Sequence, residues 1–495
     1  MRPLLAIKGA HYPTGWRKLR RATCYTARHS VLQVFTVTNT AFSSLPLSDA
    51  MLANLESLGY AEMTPIQAQS LPVILKGMDL IAQAKTGSGK TAAFGIGLLN
   101  PLNPRFFGCQ ALVMCPTREL ADQVAKEIRR LARSADNIKV LTLCGGVPFG
   151  PQIGSLEHGA QIIVGTPGRI QQHLAKGTLK LDGLNTLVLD EADRMLDMGF
   201  YDSIAEIISH TPDRRQTLLF SATYPSSIKQ LSASFMRDPQ RVKAEAMHDD
   251  TQIEQRFYEI SPEERMDAVV KVLASARPES AVAFCFTKQQ CQEVVEHLTA
   301  NGISAGALNG DLEQKDRDQI LAMFANRSLS VLVATDVAAR GLDIDALDMV
   351  INVELARDSE THIHRVGRTG RAGAKGVAVS LVAPPEAHRA QAVEKLQQGA
   401  LTWHPLSSLK PMAGEPLQPP MITLCIGAGR KDKLRPGDIL GALTGDAGIP
   451  GSAVGKIAIF DFQAYVAVER SAAKQALSRL NSGKIKGRTL RVRAL

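Results

Sequence analysis

The stretch Ala84-Lys85-Thr86-Gly87-Ser88-Gly89-Lys90-Thr91 has the residue types and spacing of a phosphate seat. It follows the apolar run Leu80-Ile81-Ala82, which reads as a buried strand, and precedes Ala92–Ile96, which starts a helix. Backbone N–H groups of a glycine loop at a helix N-terminus wrap phosphates, and the helix dipole favours negative charge. Lys90 would reach the β- and γ-phosphates of a nucleoside triphosphate, and the Thr91 hydroxyl would hold Mg²⁺. A flexible Gly/Ser turn is the plain alternative, but GK[ST] between a strand and a helix is a specific signal. One residue departs from the general pattern: Ala84 stands where a first glycine is usual.

Asp190-Glu191, at the end of the apolar run Thr186–Leu189, supplies the carboxylate pair a nucleotide hydrolase needs. Asp190 would bind Mg²⁺ through water, and Glu191 would polarise the attacking water. Further on, His364–Arg371 carries three arginines spaced by three, Arg365, Arg368 and Arg371. Such a run is either a basic surface patch or an arginine finger, which stabilises charge on the γ-phosphate and is worth roughly 10³–10⁵ in rate. A finger from a second lobe would make hydrolysis depend on lobe closure. His362 and His364 lack other ligands nearby, so a metal role is not expected there. The seven cysteines are scattered with no CxxC pair, which argues against a disulfide framework or structural zinc and for a reducing compartment.

The elements that must position these groups follow from patterning. Ser48 can cap a helix with Leu52, Leu55 and Leu58 on one face, stopped by Gly59, and Thr64-Pro65 can start the next. Short apolar runs at 111–115, 162–164, 186–189 and 217–220 alternate with helical stretches, the signature of a parallel sheet covered on both faces. Polar motifs sit at the carboxyl end of each run, where such sheets hold their sites. A second alternation has strands at 281–287, 331–336 and 349–353 and no phosphate loop. The chain thus divides into 1–39, a first lobe 40–240, a linker 241–255, a second lobe 256–404, a proline-rich linker 405–420 and a strand–helix–strand–strand–helix–strand domain 421–495. In the last strand Leu490, Val492 and Ala494 face one way and Thr489, Arg491 and Arg493 the other. No apolar run approaches the ~18 residues that span a bilayer.

The net charge of +9 is concentrated at the ends. Residues 1–48 carry +7, residues 421–495 carry thirteen Lys/Arg against five Asp/Glu, and the middle is acidic at −6. Basic ends attract polyanions without regard to sequence. Residues 1–39 leave three readings open: a transit peptide, a disordered nucleic-acid arm, or an extension upstream of the real start, and the extension is favoured because organised structure begins near Phe42.

Taken together, Thr64–Gln67, Ala84–Thr91, Pro116–Leu120, Thr166–Arg169, Asp190–Asp193, Ser221–Thr223, Ala334–Asp343 and His364–Arg371, in this order, resemble the DEAD-box RNA helicases over residues 41 to 400. That family's phosphate loop begins with Ala, as Ala84 does. The resemblance implies an α/β fold of two tandem RecA-like parallel-sheet lobes, with a C-terminal RRM-like α+β domain, and it implies ATP and Mg²⁺ as ligands. Position by position, it implies that Gln67 reads the adenine edge, Tyr60 stacks on its face, Phe42 braces that region and Asp343 touches the ribose. Ala84, Lys85, Thr86, Gly87, Ser88, Gly89, Lys90 and Thr91 wrap the phosphates, Asp190 and Glu191 take the roles above, and Arg368 and Arg371 touch the γ-phosphate. Ser221, Thr223 and His364 couple nucleotide state to lobe closure. Thr117, Arg118, Gly146, Thr166, Gly168, Arg169, Thr287, Arg317 and Thr335 would grip the RNA sugar–phosphate backbone, contacts that carry no sequence information. Tyr60 replaces the commoner Phe, and His362 stands where Tyr is usual.

The tail resembles that of the bacterial DbpA subfamily, which implies anchoring to a 23S rRNA hairpin in a pre-50S particle. RNA-recognition folds stack bases on strand aromatics. The first strand here, Ile422–Gly427, has none, and Phe462 and Tyr465 are the aromatics near the third. Recognition would lean instead on Lys484, Lys486, Arg488, Arg491, Arg493 and backbone groups. The expected protein is a cytoplasmic, monomeric, ATP-dependent RNA helicase of large-subunit assembly, without membrane or structural metal. A general RNA helicase, an ATP-gated RNA clamp and a DNA helicase are the alternatives. Intact Lys90, Glu191, Arg368 and Arg371 argue against the clamp.

Overall fold

The computed structural model describes residues 40–84, 87–244, 253–339, 347–370, 375–397, 399–409, 417–446 and 448–495. In the first lobe seven strands form a parallel sheet: β1 (Leu80–Gln83), β2 (Ala111–Met114), β3 (Val140–Leu143), β4 (Ile162–Gly165), β5 (Thr186–Leu189), β6 (Gln216–Ser221) and β7 (Gln240–Lys243), in the order β3-β4-β2-β5-β6-β1-β7. The central strands β2, β4, β5 and β6 are buried along their whole length, as expected where helices cover both faces. Ser48 does cap the helix Asp49–Ser57, accepting the Met51 N–H at 3.3 Å, and Thr64 and Gln67 form a capping box on the helix Pro65–Leu75.

The second lobe repeats the plan with β8 (Ile253–Glu259), β9 (Ala281–Cys285), β10 (Ala305–Leu308), β11 (Val331–Thr335), β12 (Met349–Asn352), β13 (Gly376–Val382) and β14 (Trp403–His404), ordered β10-β11-β9-β12-β13-β8-β14. Strand β7 ends at Lys243 and β8 begins at Ile253, so both sheets reach into the segment 241–255. His362, on the helix Ser359–Val366, is fully buried beside Phe257 with Nε2 on Gln255 Oε1 at 3.2 Å. Burial, then the Arg365 charge, pushes its pKa down to about 4, so it is a neutral core residue.

The C-terminal domain is a four-stranded antiparallel sheet of β15 (Met421–Ile426), β16 (Val454–Ile459), β17 (Ala464–Glu469) and β18 (Val492–Ala494), ordered β16-β17-β15-β18. The helices Pro436–Gly441 and Arg470–Ser482 cover one face through Ile439, Ala476 and Leu480, packed on Leu424, Ile426, Val466 and Val468. The other face is not open. Cys425 and Tyr465 pack on Ala322 of the second lobe's helix Gln314–Ala325. Thr423 Oγ1 lies 2.8 Å from both Asn326 Nδ2 and Ser328 Oγ, and all three residues are buried. The face on which RNA-recognition domains usually stack bases is therefore a domain seam.

Candidate active site

The phosphate loop is bound into the fold by backbone and side-chain bonds at both ends. The Ala84 N–H donates to Ser221 O at 3.0 Å, and Lys90 Nζ donates to Ala84 O at 2.7 Å. Gly87 and Gly89 have φ of 80° and 93°, a left-handed backbone that favours glycine. A Cβ on Gly89 would also meet Gln67 Nε2 at 2.6 Å. Ser88 Oγ is buried without a protein partner, as a phosphate-facing hydroxyl would be. Lys85, Thr86, Asp343 and Arg371 lie outside the described residues.

Gln67, expected to read an adenine edge, is tied to this loop: its Oε1 accepts the Thr64 N–H at 2.8 Å and its Nε2 donates to Gly89 O at 3.1 Å. Thr64 Oγ1 adds a bond to Ser88 O at 2.7 Å, a partner that sequence reasoning missed. Phe42 and Tyr60 meet edge to face at 6.2 Å, and the Tyr60 hydroxyl donates to Glu127 Oε1 at 2.5 Å.

At the end of β5, Asp190 is buried and its carboxyl is pushed up to about 7, chiefly by burial; Lys90 opposes the shift and Glu191 adds to it. A buried carboxylate facing a lysine, with the Thr91 hydroxyl at the first turn of the helix Lys90–Leu99, is a donor set suited to a hard divalent cation. Glu191 stands at φ 52°, and a non-glycine residue held there costs about 1–3 kcal/mol. The strained turn is fixed by the Glu191 N–H on Asp190 Oδ1 at 3.0 Å and by a buried ion pair with Arg194 at 2.9 Å. Asp193 Oδ2 accepts the N–H groups of Ala222 and Thr223 and the Thr223 hydroxyl at 2.9–3.1 Å. Burial alone would raise the Asp193 pKa, but the Thr223 N–H, the Ser221 side chain and the nearby His364 and Lys90 together outweigh it and hold the carboxyl below the usual range.

The second lobe forms a cleft with the far side of this acidic strand end, lined by Asp193 and Arg194 but not by Lys90, Thr91, Asp190 or Glu191. Asp193, Arg194 and Thr223 line one side, and His364, Arg368 and Asp336 the other, around about 460 Å³. His364 is pushed to about 4 by burial and then by Arg194, so it faces the acidic residues as a neutral ring. Arg365 of the arginine run turns inward to a bidentate pair with Asp336 at 2.6 and 2.7 Å and to Asn352. Arg368 reaches the cleft.

A second cleft of about 930 Å³ also has walls from both lobes: Thr117, Arg118, Gly146, Thr166, Gly168 and Arg169 oppose Gln314 and Arg317. Thr287 and Thr335 are not in that wall; each accepts a backbone N–H at the start of the helix that follows its strand. Two of the expected phosphate contacts already have protein partners: Arg118 Nη1 donates to Gln314 Oε1 at 2.6 Å and Arg317 Nε to Glu119 Oε1 at 2.5 Å. In the C-terminal domain Lys484, Lys486, Arg488 and Arg491 are exposed. Arg493 is exposed as well and donates across the seam to Gln319 Oε1 at 3.2 Å. Tyr465 is buried in the seam, and Phe462 is 70% exposed at a hairpin tip.

Two parallel-sheet lobes, the first with a phosphate loop and an acidic strand end and the second with an arginine on the cleft between them, define a nucleotide-driven helicase core. The family models agree: DEAD/DEAH box helicase matches residues 64–231 and helicase conserved C-terminal domain residues 264–373. The chain belongs to the DEAD/DEAH box helicases. Within them its tail matches the DbpA RNA binding domain over residues 423–494. The chain is 55% identical over 457 residues to ATP-dependent RNA helicase DbpA of Escherichia coli (strain K12), spanning 92% of this chain and 100% of that protein. ATP-dependent RNA helicase CshA of Limosilactobacillus reuteri is 44% identical over 72% of this chain and 71% of its own length. Among solved structures, S. cerevisiae Dbp5 bound to RNA and ADP BeF3 superposes with a TM-score of 0.68 at 30% identity, covering 74% of this chain and 96% of that one.

Proposed function

We infer that this RNA-dependent ATPase closes its two lobes over ATP and an RNA backbone and pries apart short duplexes, while residues 421–495 anchor it to a 23S rRNA hairpin during large-subunit assembly. The observation that carries the reading is the pairing of two interlobe clefts with a separate basic domain fixed to the second lobe. Lys90 would hold the β- and γ-phosphates, and Thr91 and Asp190 would hold Mg²⁺, which when bound shields phosphate charge. Glu191 would orient and deprotonate the attacking water, and Arg368 would meet charge developing on the γ-phosphate. The Asp193–Thr223 bonds supply a link from the acidic strand end to the lobe interface, where His364 lies opposite. Backbone-only contacts in the second cleft suit local strand separation on many sequences rather than reading of one.

Steady-state ATPase rates with no RNA, a generic duplex and total 23S rRNA test this. Strong stimulation by the ribosomal RNA alone is the expected result. Equal stimulation by both RNAs would leave a general helicase with a non-specific basic tail, and hydrolysis confined to a single turnover would indicate a clamp.

A further inference from the structure

The strongest unassigned arrangement lies under the RNA cleft. Gln152, on the helix Phe149–Glu157, is buried, and its Oε1 accepts two donors, Arg169 Nη1 at 2.9 Å and His173 Nε2 at 3.0 Å. An amide oxygen only accepts, so His173 carries its proton on Nε2, and Nδ1 faces the Thr178 hydroxyl at 2.8 Å. Gln152 Nε2 donates to Cys144 O at 3.1 Å, which orients the amide. His173 is fully buried and stacks on Phe149 at 4.0 Å with 13° between the planes. The outer face of that ring carries Lys176 Nζ at 4.4 Å, and Arg169 Cζ lies 5.2 Å from its centre. Arg169 Nη2 then holds Val147 O at 3.1 Å, while Arg118 lies so close to Gly146 that a Cβ there would meet its Nη1 at 1.5 Å.

We propose that Gln152 and His173 are positioning residues that set Arg169, and through it the Gly145–Val147 loop, as one wall of the RNA cleft. Neither residue touches RNA. One acceptor shared by a fixed imidazole and a guanidinium leaves the arginine a single seat, so its remaining donor surface and the loop backbone meet the phosphates without a search. Burial, then the nearby Arg169 and Lys176 charges, keep His173 neutral with a pKa near 4, so the relay persists at any working pH. This inference rests on the second cleft being the RNA path.

The test is an RNA titration of ATPase activity with a duplex bearing a single-stranded extension, in the full-length protein. Gln152→Leu removes the shared acceptor; His173→Phe keeps the stack on Phe149 and removes the donor. Each should raise the RNA concentration for half-maximal rate about tenfold, with the rate at saturating RNA within about twofold of wild type. The double variant should also sit at about tenfold rather than a hundredfold, because both changes break one unit. Gln152→Glu keeps the shape but pairs a charge with Arg169, and it should flatten the salt dependence of RNA binding by about 0.7 in log–log slope. Half-saturation within twofold of wild type in either single variant, an additive double, or an unchanged salt slope in Gln152→Glu each overturns the relay. Arg118→Ala separates the two layers: if it leaves half-saturation unmoved, the cleft is not the RNA path, and if it alone moves it, the path stands and the relay fails.

Discussion

Glu191 sits where backbone strain, a buried ion pair and an acid cluster converge. The left-handed backbone places this side chain and the Arg194 ion pair restrains its carboxylate, as the proposed aiming of a water at phosphorus would require. Glu191→Gln keeps the shape and the Arg194 hydrogen bond but removes the base. It should bind ATP as wild type does and lose turnover by about 10²–10⁴-fold, read by nucleotide binding beside single-turnover hydrolysis. Near wild-type turnover would take Glu191 out of the mechanism. The place of this residue was legible in the sequence because its pattern is local: a strand, two acids and a helix. Gln314 and Glu119 were not, although they hold Arg118 and Arg317. Their partners stand 196 and 198 positions away, and no local pattern announces such a pair.

One element does more than its sequence suggests. The helix Gln314–Ala325 meets the first lobe at its opening turn, through Gln314 and Arg317, and the C-terminal domain at its end, through Ala322 and the adjoining Asn326. Its weak apolar pattern reflects one polar and one mixed seam rather than a solvated face. Asp318 lies between them, and its carboxyl is pushed up to about 6, chiefly by burial, with Gln314 opposing and Glu119 and Asp122 adding. A carboxyl whose folded pKa is raised keeps its proton longer in the folded state, so its contribution to stability falls as pH rises from about 4 to 6. Asp318→Asn should therefore raise the thermal midpoint at pH 7.5 and leave it unchanged below pH 4. A gain of the same size at both pH values would assign the effect to something other than titration. At the other seam, Thr423→Val removes the hydroxyl shared by Asn326 and Ser328. Leaving two buried polar groups unpaired should cost about 1–3 kcal/mol, visible as faster proteolysis between the second lobe and the tail. Cleavage at the wild-type rate would mean that apolar contacts alone hold the seam.

At the scale of the molecule, deleting residues 421–495 should abolish preference for one RNA while sparing basal RNA binding by the two lobes. Competition between 23S rRNA and a generic duplex measures this, and an unchanged preference in the truncation would place specificity in the core. The order of two parallel sheets and a small antiparallel one was readable from alternating apolar runs, since each strand's burial is written in its own residues. How the third domain sits was not readable. Thr423, Cys425 and Tyr465 look like the open face of a sheet until Ala322 and Asn326 are found against them. The same seam sets a limit on modularity. A tail of this kind grafted onto another helicase core would bring half of its own seat and leave the other half behind. Working chimeras would need Ala322, Asn326 and Ser328 to travel with it.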